Sequence, residues 1–211
     1  IMSDLKLVAL FILEDSLLHR ELNIVSLPED VNPRIFSTED KSYVISEISH
    51  LEYDFVISNG CPFIFPMDQL RSEKRQFINI HPTLLPELKG KTPLNGVFMT
   101  HQTAIGATMH YIDDGIDTGA IISQRKVELT SDIDQGLVYK ISFDIESDVF
   151  VEGLKLLQAN DYVLPGTRQI GQGSYFNRTE ELQTIRIKED PTDLIIDTVK
   201  SFGIKGQGSN L

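Results

Sequence analysis

The chain has 211 residues, 41% of them apolar, enough for one generous domain with a packed core rather than a disordered chain. Its 19 basic and 31 acidic residues leave a formal charge of −12, which disfavours nucleic-acid backbones and anionic membranes as partners. A single cysteine, Cys61, excludes an internal disulfide and zinc-finger spacing. With no signal peptide and no apolar run of membrane length, the expected setting is the cytoplasm.

In chain order, KLVALFIL (6–13) reads as a buried strand, because it is a short continuous apolar run. STEDKSYVISEISHL (37–51) reads as a helix capped by Ser37 or Thr38, with Tyr43, Val44, Ile48 and Leu51 at helical spacing. YDFVISNG (53–60) and QFINI (76–80) are strands joined by a short, partly helical connection. TPLNGVFMTHQ (92–102) is a predicted helix with Pro93 in its first turn. IGATMHYI (105–112) and AIISQRKVEL (120–129) are strands flanking the polar turn DDGIDTG.

The clearest helix begins near Thr130 or Ser131, with Asp132 and Asp134 in its first turn. Its apolar stripe is Ile133, Leu137, Ile141, Ile145, Val149, Leu154 and Leu157. Residues 162–179 are rich in loop formers, and 190–203 is a last helix with Asp190 as cap, Pro191 in the first turn and Gly203 beyond its end. Alternating strands and helices imply an α/β sheet packed between helices. GQGS occurs at 171–174 and again at 206–209, but neither copy carries a dinucleotide fingerprint or a P-loop.

FINIHPTLLPELKG (77–90) places two polar groups in an otherwise apolar strand. Side chains alternate along a strand, so Asn79 and His81 share one face, and Pro82 ends the ladder. The pair therefore stands at the carboxyl end of a strand, where open α/β sheets bind ligands. An amide can donate to a developing oxyanion, and an imidazole can do so or move a proton. The plainer alternative has Asn79 bonding loop backbone and His81 as a satisfied turn histidine. In GATMHYIDDGIDTGAII (106–122), Asp113, Asp114 and Asp117 share one turn with Gly115 and Gly119. They are turn formers, a carboxylate source, or in third place metal ligands. No matching cluster elsewhere completes a metal site, so no metal is expected. His110 reads as a half-buried structural histidine.

Together the two segments resemble the active-site signature of formyltransferases that use 10-formyltetrahydrofolate. The resemblance covers roughly residues 53 to 160, and two separated motifs in the right order are more specific than either alone. It implies a Rossmann-like, mostly parallel sheet flanked by helices, with a catalytic core over 1–160 and a short C-terminal extension over 161–211. The core is expected to begin inside the domain, without its first strand. The resemblance further implies a catalytic trio of Asn79, His81 and Asp117. It implies that 10-formyltetrahydrofolate is the formyl donor and that its pterin lies against two loops. One is Phe63, Ile64 and Phe65; the other is Ile112, Asp113, Asp114 and Gly115, running on to Asp117.

The expected acceptor is the amine of a nucleotide-diphosphate amino sugar, as in lipopolysaccharide O-antigen synthesis, because the segment after the core is similar to the tail of sugar N-formyltransferases. Lys89, Gly90 and Lys91 in LKGK are the expected substrate residues facing its phosphates, with loop solvation as the other role for the lysines. Methionyl-tRNA or glycinamide ribonucleotide as acceptor, and hydrolysis of formyltetrahydrofolate, are the alternatives. A homodimer is expected from family habit.

Overall fold

The computed structural model describes residues 6–12, 27–36, 40–72 and 75–203. Among these, strands β1 (Lys6–Ile12), β2 (Val31–Phe36), β3 (Phe55–Asn59), β4 (Gln76–His81), β5 (Ala104–Tyr111) and β6 (Ile121–Glu128) form one sheet in the order β2-β1-β3-β4-β5-β6. The first four strands pair in parallel; β5 and β6 turn antiparallel. The connections carry α1 (Lys41–His50), α2 (Met67–Leu70), a 3-10 turn (Pro93–Asn95) running into α3 (Gly96–Met99), and the long α4 (Gln135–Ala159). α5 (Glu180–Gln183) and α6 (Thr192–Phe202) follow. The mostly parallel α/β sheet expected from the sequence is present.

The continuous apolar runs of the central strands have a direct cause: both faces of the sheet are covered. Leu10, Ile57, Ile78, Ile80 and Met109 face α4, where Ile145, Val149, Phe150, Leu154 and Leu157 meet them. Ala9, Val56 and Phe77 face the other way, against Val44 and Ile48 of α1 and against Phe65 and Leu70. Each of these side chains larger than alanine contributes about 1.5–3 kcal/mol by leaving water.

Several boundaries move. β2 escapes a reading by pattern because Pro33 interrupts it and four of its six residues are exposed. Proline is tolerated there because β2 is an edge strand. Ser37, Thr38 and the second GQGS lie outside the described residues. The cap of α1 is Asp40, whose carboxylate accepts from the Tyr43 N–H at 3.0 Å. In α4 the start shifts to Gln135, and Asp134 is the cap, accepting from the Leu137 N–H at 2.8 Å. Leu137 is 47% exposed, and Val138 and Phe150 take the buried stripe instead. The predicted helix over 92–102 is shorter, a 3-10 turn followed by the four residues of α3. Asp190 does not cap α6: Pro191 holds that position, and the Asp190 carboxylate accepts from the Arg186 N–H.

The segment after residue 160 shares the core. Tyr162 joins the cluster beneath α4, while Phe176 and Phe202 pack with Leu88, Leu94, Val97 and Ile105. Residues 174–176 run beside 86–89, with Lys89 N–H to Ser174 O at 3.0 Å and Phe176 N–H to Lys89 O at 2.8 Å. That pairing braces the loop that leaves β4.

Candidate active site

The α1 face of the sheet changes character toward the carboxyl ends of the parallel strands. Val56 and Phe77 are apolar; two residues further on, the same face carries Ser58 and Asn79, then His81. β5 runs antiparallel, which sets His110 opposite Asn79 and Thr108 opposite His81. A two-residue alternation along β4 and β5 thus gathers an amide and two imidazoles, with the β5–β6 register shifting between Met109 and His110.

Each polar group is held by a specific partner. Asn79 Oδ1 accepts from the Ser58 hydroxyl at 2.7 Å, and Asn79 Nδ2 lies 3.3 Å from His110 Nε2. That fixes the amide with its nitrogen toward the histidines. His81 Nε2 is 2.9 Å from the Leu88 carbonyl, and a carbonyl can only accept, so the proton sits on Nε2. Nδ1 is then turned to Asp117 Oδ2, at 3.6 Å. By the same reasoning His110 Nδ1 donates to the Tyr111 carbonyl at 2.8 Å, leaving Nε2 for Asn79 and for Asp117 Oδ1 at 3.6 Å.

Asp117 arrives from the turn between β5 and β6. Its backbone is left-handed, with φ of 53°, and its Oδ2 accepts from the Gly90 N–H at 2.9 Å. Gly119 lets the turn close, since a Cβ there would lie 1.8 Å from the Tyr111 carbonyl oxygen. Burial pushes the Asp117 carboxyl up, but the neighbouring His110 and His81 rings and the Gly90 N–H outweigh it and hold the group down at about 2. Burial pushes His81 down, opposed by Asp117 and by the Leu88 carbonyl. Asn79 and Asp117 keep some exposure while His81 and His110 are buried, so the cluster opens to solvent past the amide and the carboxylate.

The three expected catalytic residues thus meet. His110, expected to be structural, stands among them; its place opposite Asn79 follows from the register of β4 and β5, which sequence pattern alone does not set. The two expected loops also lie together. Phe63 packs edge-on to Phe65 with ring centroids 5.5 Å apart, Phe65 packs on Phe77, and Ile112 joins the same cluster. Ile64 is 74% exposed beside them. Asp113 spends its carboxylate on the Gly115 N–H and the Thr118 hydroxyl, and Asp114 pairs with Arg71 at 2.8 Å. The turn therefore offers backbone groups rather than free acids.

Lys89 donates from Nζ to the Gln172 carbonyl, Gly90 holds Asp117, and the Lys91 N–H is bound by Asn177 Oδ1. Burial pushes the Cys61 thiol up to about 12, so it is no nucleophile. Among the described residues no group of three His, Cys, Asp or Glu could hold a metal, and no helix is long and apolar enough to cross a membrane. Chemically, the site offers an amide donor for a developing oxyanion, an imidazole nitrogen that can take up a proton, and an ionised carboxylate to accept one.

Known proteins resemble this chain in sequence and in fold. A family model described as formyl transferase matches residues 23–154. A methionyl-tRNA formyltransferase of Clostridioides difficile is 31% identical over 119 residues, 56% of this chain and 38% of that protein. The chain thus spans about two-fifths of the length of the curated relatives it matches. Among solved structures, a 4-N formyltransferase from Francisella tularensis superposes with a TM-score of 0.78 at 21% identity, covering 99% of this chain and 92% of that one. The formyltransferase PseJ from Anoxybacillus kamchatkensis, in complex with UDP-4,6-dideoxy-4-formamido-L-AltNAc and tetrahydrofolate, gives 0.60 at 26% identity over 81% of this chain and 85% of its own.

Proposed function

This chain belongs to the formyl transferase family, and on that premise we propose that it moves a formyl group from 10-formyltetrahydrofolate to the amine of a nucleotide-linked amino sugar. The observation that carries the transfer chemistry is the meeting of Asn79, His81 and Asp117, with Asp117 Oδ2 3.6 Å from His81 Nδ1 at the partly open end of the sheet. The formyl donor is a substrate that supplies an activated one-carbon unit. An apolar loop at 63–65 beside a turn that presents backbone groups suits a flat heterocycle.

The residue roles follow from the hydrogen bonds. Asn79 Nδ2 has a second hydrogen beyond the one directed at His110, and it donates to the formyl oxygen as negative charge gathers there. His81 keeps its Nε2–H on Leu88, so any proton it lends to the reaction is carried on Nδ1, between Asp117 and the reacting centre. Asp117, ionised, favours that proton on His81 and accepts the one lost by the attacking amine, directly or through water. The C–N bond to the acceptor forms, the C–N bond to the donor breaks, and the proton taken from the amine passes to the departing donor nitrogen, so the step balances.

The sugar acceptor is supported by the likeness to PseJ, 26% identical over 81% of this chain and solved with a UDP-linked formamido sugar and tetrahydrofolate. The charge of −12 weighs against tRNA. Methionyl-tRNA is the second reading, favoured by the identity of the curated relatives. Lys89 and Lys91 are proposed to border the acceptor's phosphates, and a cytoplasmic homodimer is the proposed working form. The experiment is a panel of acceptors assayed with 10-formyltetrahydrofolate: nucleotide-diphosphate amino sugars, glycinamide ribonucleotide, initiator methionyl-tRNA, and water alone. Formylation of a nucleotide amino sugar is expected. Turnover confined to tRNA or ribonucleotide, or formate release without an acceptor, ends the sugar reading.

A further inference from the structure

The turn that carries Asp117 holds a costly shape. A left-handed residue without glycine costs about 1 kcal/mol or more, and the carboxylate must still reach two imidazoles and the Gly90 N–H. The grip comes from a segment well outside the motifs. Gln169 Nε2 donates both its hydrogens into the turn, to the Asp117 carbonyl at 2.9 Å and the Gly119 carbonyl at 2.8 Å. These bonds span Asp117 and the close approach at Gly119, the two places where the turn is tightest.

Gln169 is itself well placed. Thr167 and Ile121 exchange backbone bonds at 2.8 and 2.7 Å, so the tail runs beside the start of β6. Gly166, with φ of 71°, allows the approach, since a Cβ there would lie 2.9 Å from the Ile121 oxygen. Gln169 Oε1 is buried with no hydrogen-bond partner among the described residues. A flipped amide would set that oxygen against two carbonyls, so the observed orientation is the only one that bonds both. An orphaned buried acceptor costs about 1–3 kcal/mol, and the fold accepts it for two bonds to one turn.

We propose that Gln169 is a positioning residue for the transfer reaction, clamping the Asp117 turn so that the carboxylate stays against His81 and His110. This rests on the formyl-transfer reading above. Three groups bear on the His81 ring: Asp117, the His110 ring at 6.5 Å between centroids, and the Leu88 carbonyl. Of these, Asp117 is the charge that raises the affinity of His81 for a proton.

The test is Gln169→Met in the full chain, which keeps length and neutrality and removes both donors. Two readouts are taken: kcat and KM for donor and acceptor, and the NMR titration of the His81 imidazole, assigned by its loss in His81→Ala. The expected result is a kcat at least tenfold lower, both KM values within threefold, and a His81 midpoint below that of the unmodified chain. A kcat within twofold together with an unmoved midpoint overturns the proposal. So does a loss of turnover that only follows the loss of folded protein while the midpoint stays put. If the methionine variant does not fold, Gln169→Asn shortens the reach by one methylene and is read by the same outcomes. The titration needs no substrate, so an inactive wild-type chain would refute the transfer reading while the clamp is still judged on His81.

Discussion

Asp117 and Glu146 are both carboxyls withdrawn from water, and they lie on opposite faces of one sheet. Asp117 faces two imidazoles and a backbone N–H, and it is held at about 2. Glu146 sits on α4, 3% exposed, against the side chain of Asn59, and burial pushes it up to about 8. Asn59 belongs to the α4-facing side of β3, one residue after Ser58 on the site face. Burial alone makes a neutral acid that serves packing; burial beside imidazoles and an N–H donor keeps a carboxylate ionised, a charge that can do chemistry.

The comparison can be broken most sharply by activity. Asn79→Ala, His81→Ala and Asp117→Asn are each expected to lower kcat/KM at least a hundredfold, about 2.7 kcal/mol, with unchanged circular dichroism. Glu146→Gln should stay within a fewfold of the unmodified chain. Equal losses on the two faces, measured side by side, would erase the distinction.

Stability against pH reads the same contrast from both sides. A carboxyl raised on folding stabilises at low pH and loses that contribution as pH rises through its folded value. Between pH 5.5 and 8 Glu146 should therefore cost the fold on the order of 2 kcal/mol. Urea midpoints of Glu146→Gln should lack that decline; a parallel decline in both proteins would show that the group is not buried neutral. Asp117 has the opposite sign. Its contribution is present above the unfolded value and is lost as pH falls from near 4 through about 2, in all about 2 kcal/mol. His81, buried and held down, adds to the loss on acidification, beginning below its ordinary value of 6.5. Asp117→Asn should flatten the acid limb below pH 4, and denaturation curves at pH 2 to 5 check it.

The smallest effect concerns the support of the amide. Ser58→Ala removes one hydrogen bond to Asn79 Oδ1, worth about 1 kcal/mol. A fall in kcat of about three- to tenfold is expected, with KM for the donor little moved. No change would mean that His110 alone orients Asn79.

Much of this site was legible before folding. The alternation of Asn79 and His81 with Ile78 and Ile80 announces one polar face at a strand end, and Pro82 says where the strand stops. DDGIDTG announces a tight acidic turn. The chain itself does not say which of its three acids turns inward: Asp113 and Asp114 bond their own turn and Arg71, and only Asp117 takes the left-handed conformation that aims it at the histidines. His110 and Gln169 were illegible for a related reason. One depends on the register of an antiparallel pair, the other on a contact 52 residues away in sequence.

Local pattern thus determined most of the elements, though not β2, together with the two covered faces of the sheet and the kinds of chemical group available, because strand alternation and turn chemistry act over a few residues. The tertiary structure decided the partners: which acid meets which imidazole, which nitrogen of each ring is committed to a carbonyl, and which tail residue grips the turn. Those choices rest on hydrogen bonds and burial between segments far apart along the chain, where a shift of about one ångström separates a bond from a gap.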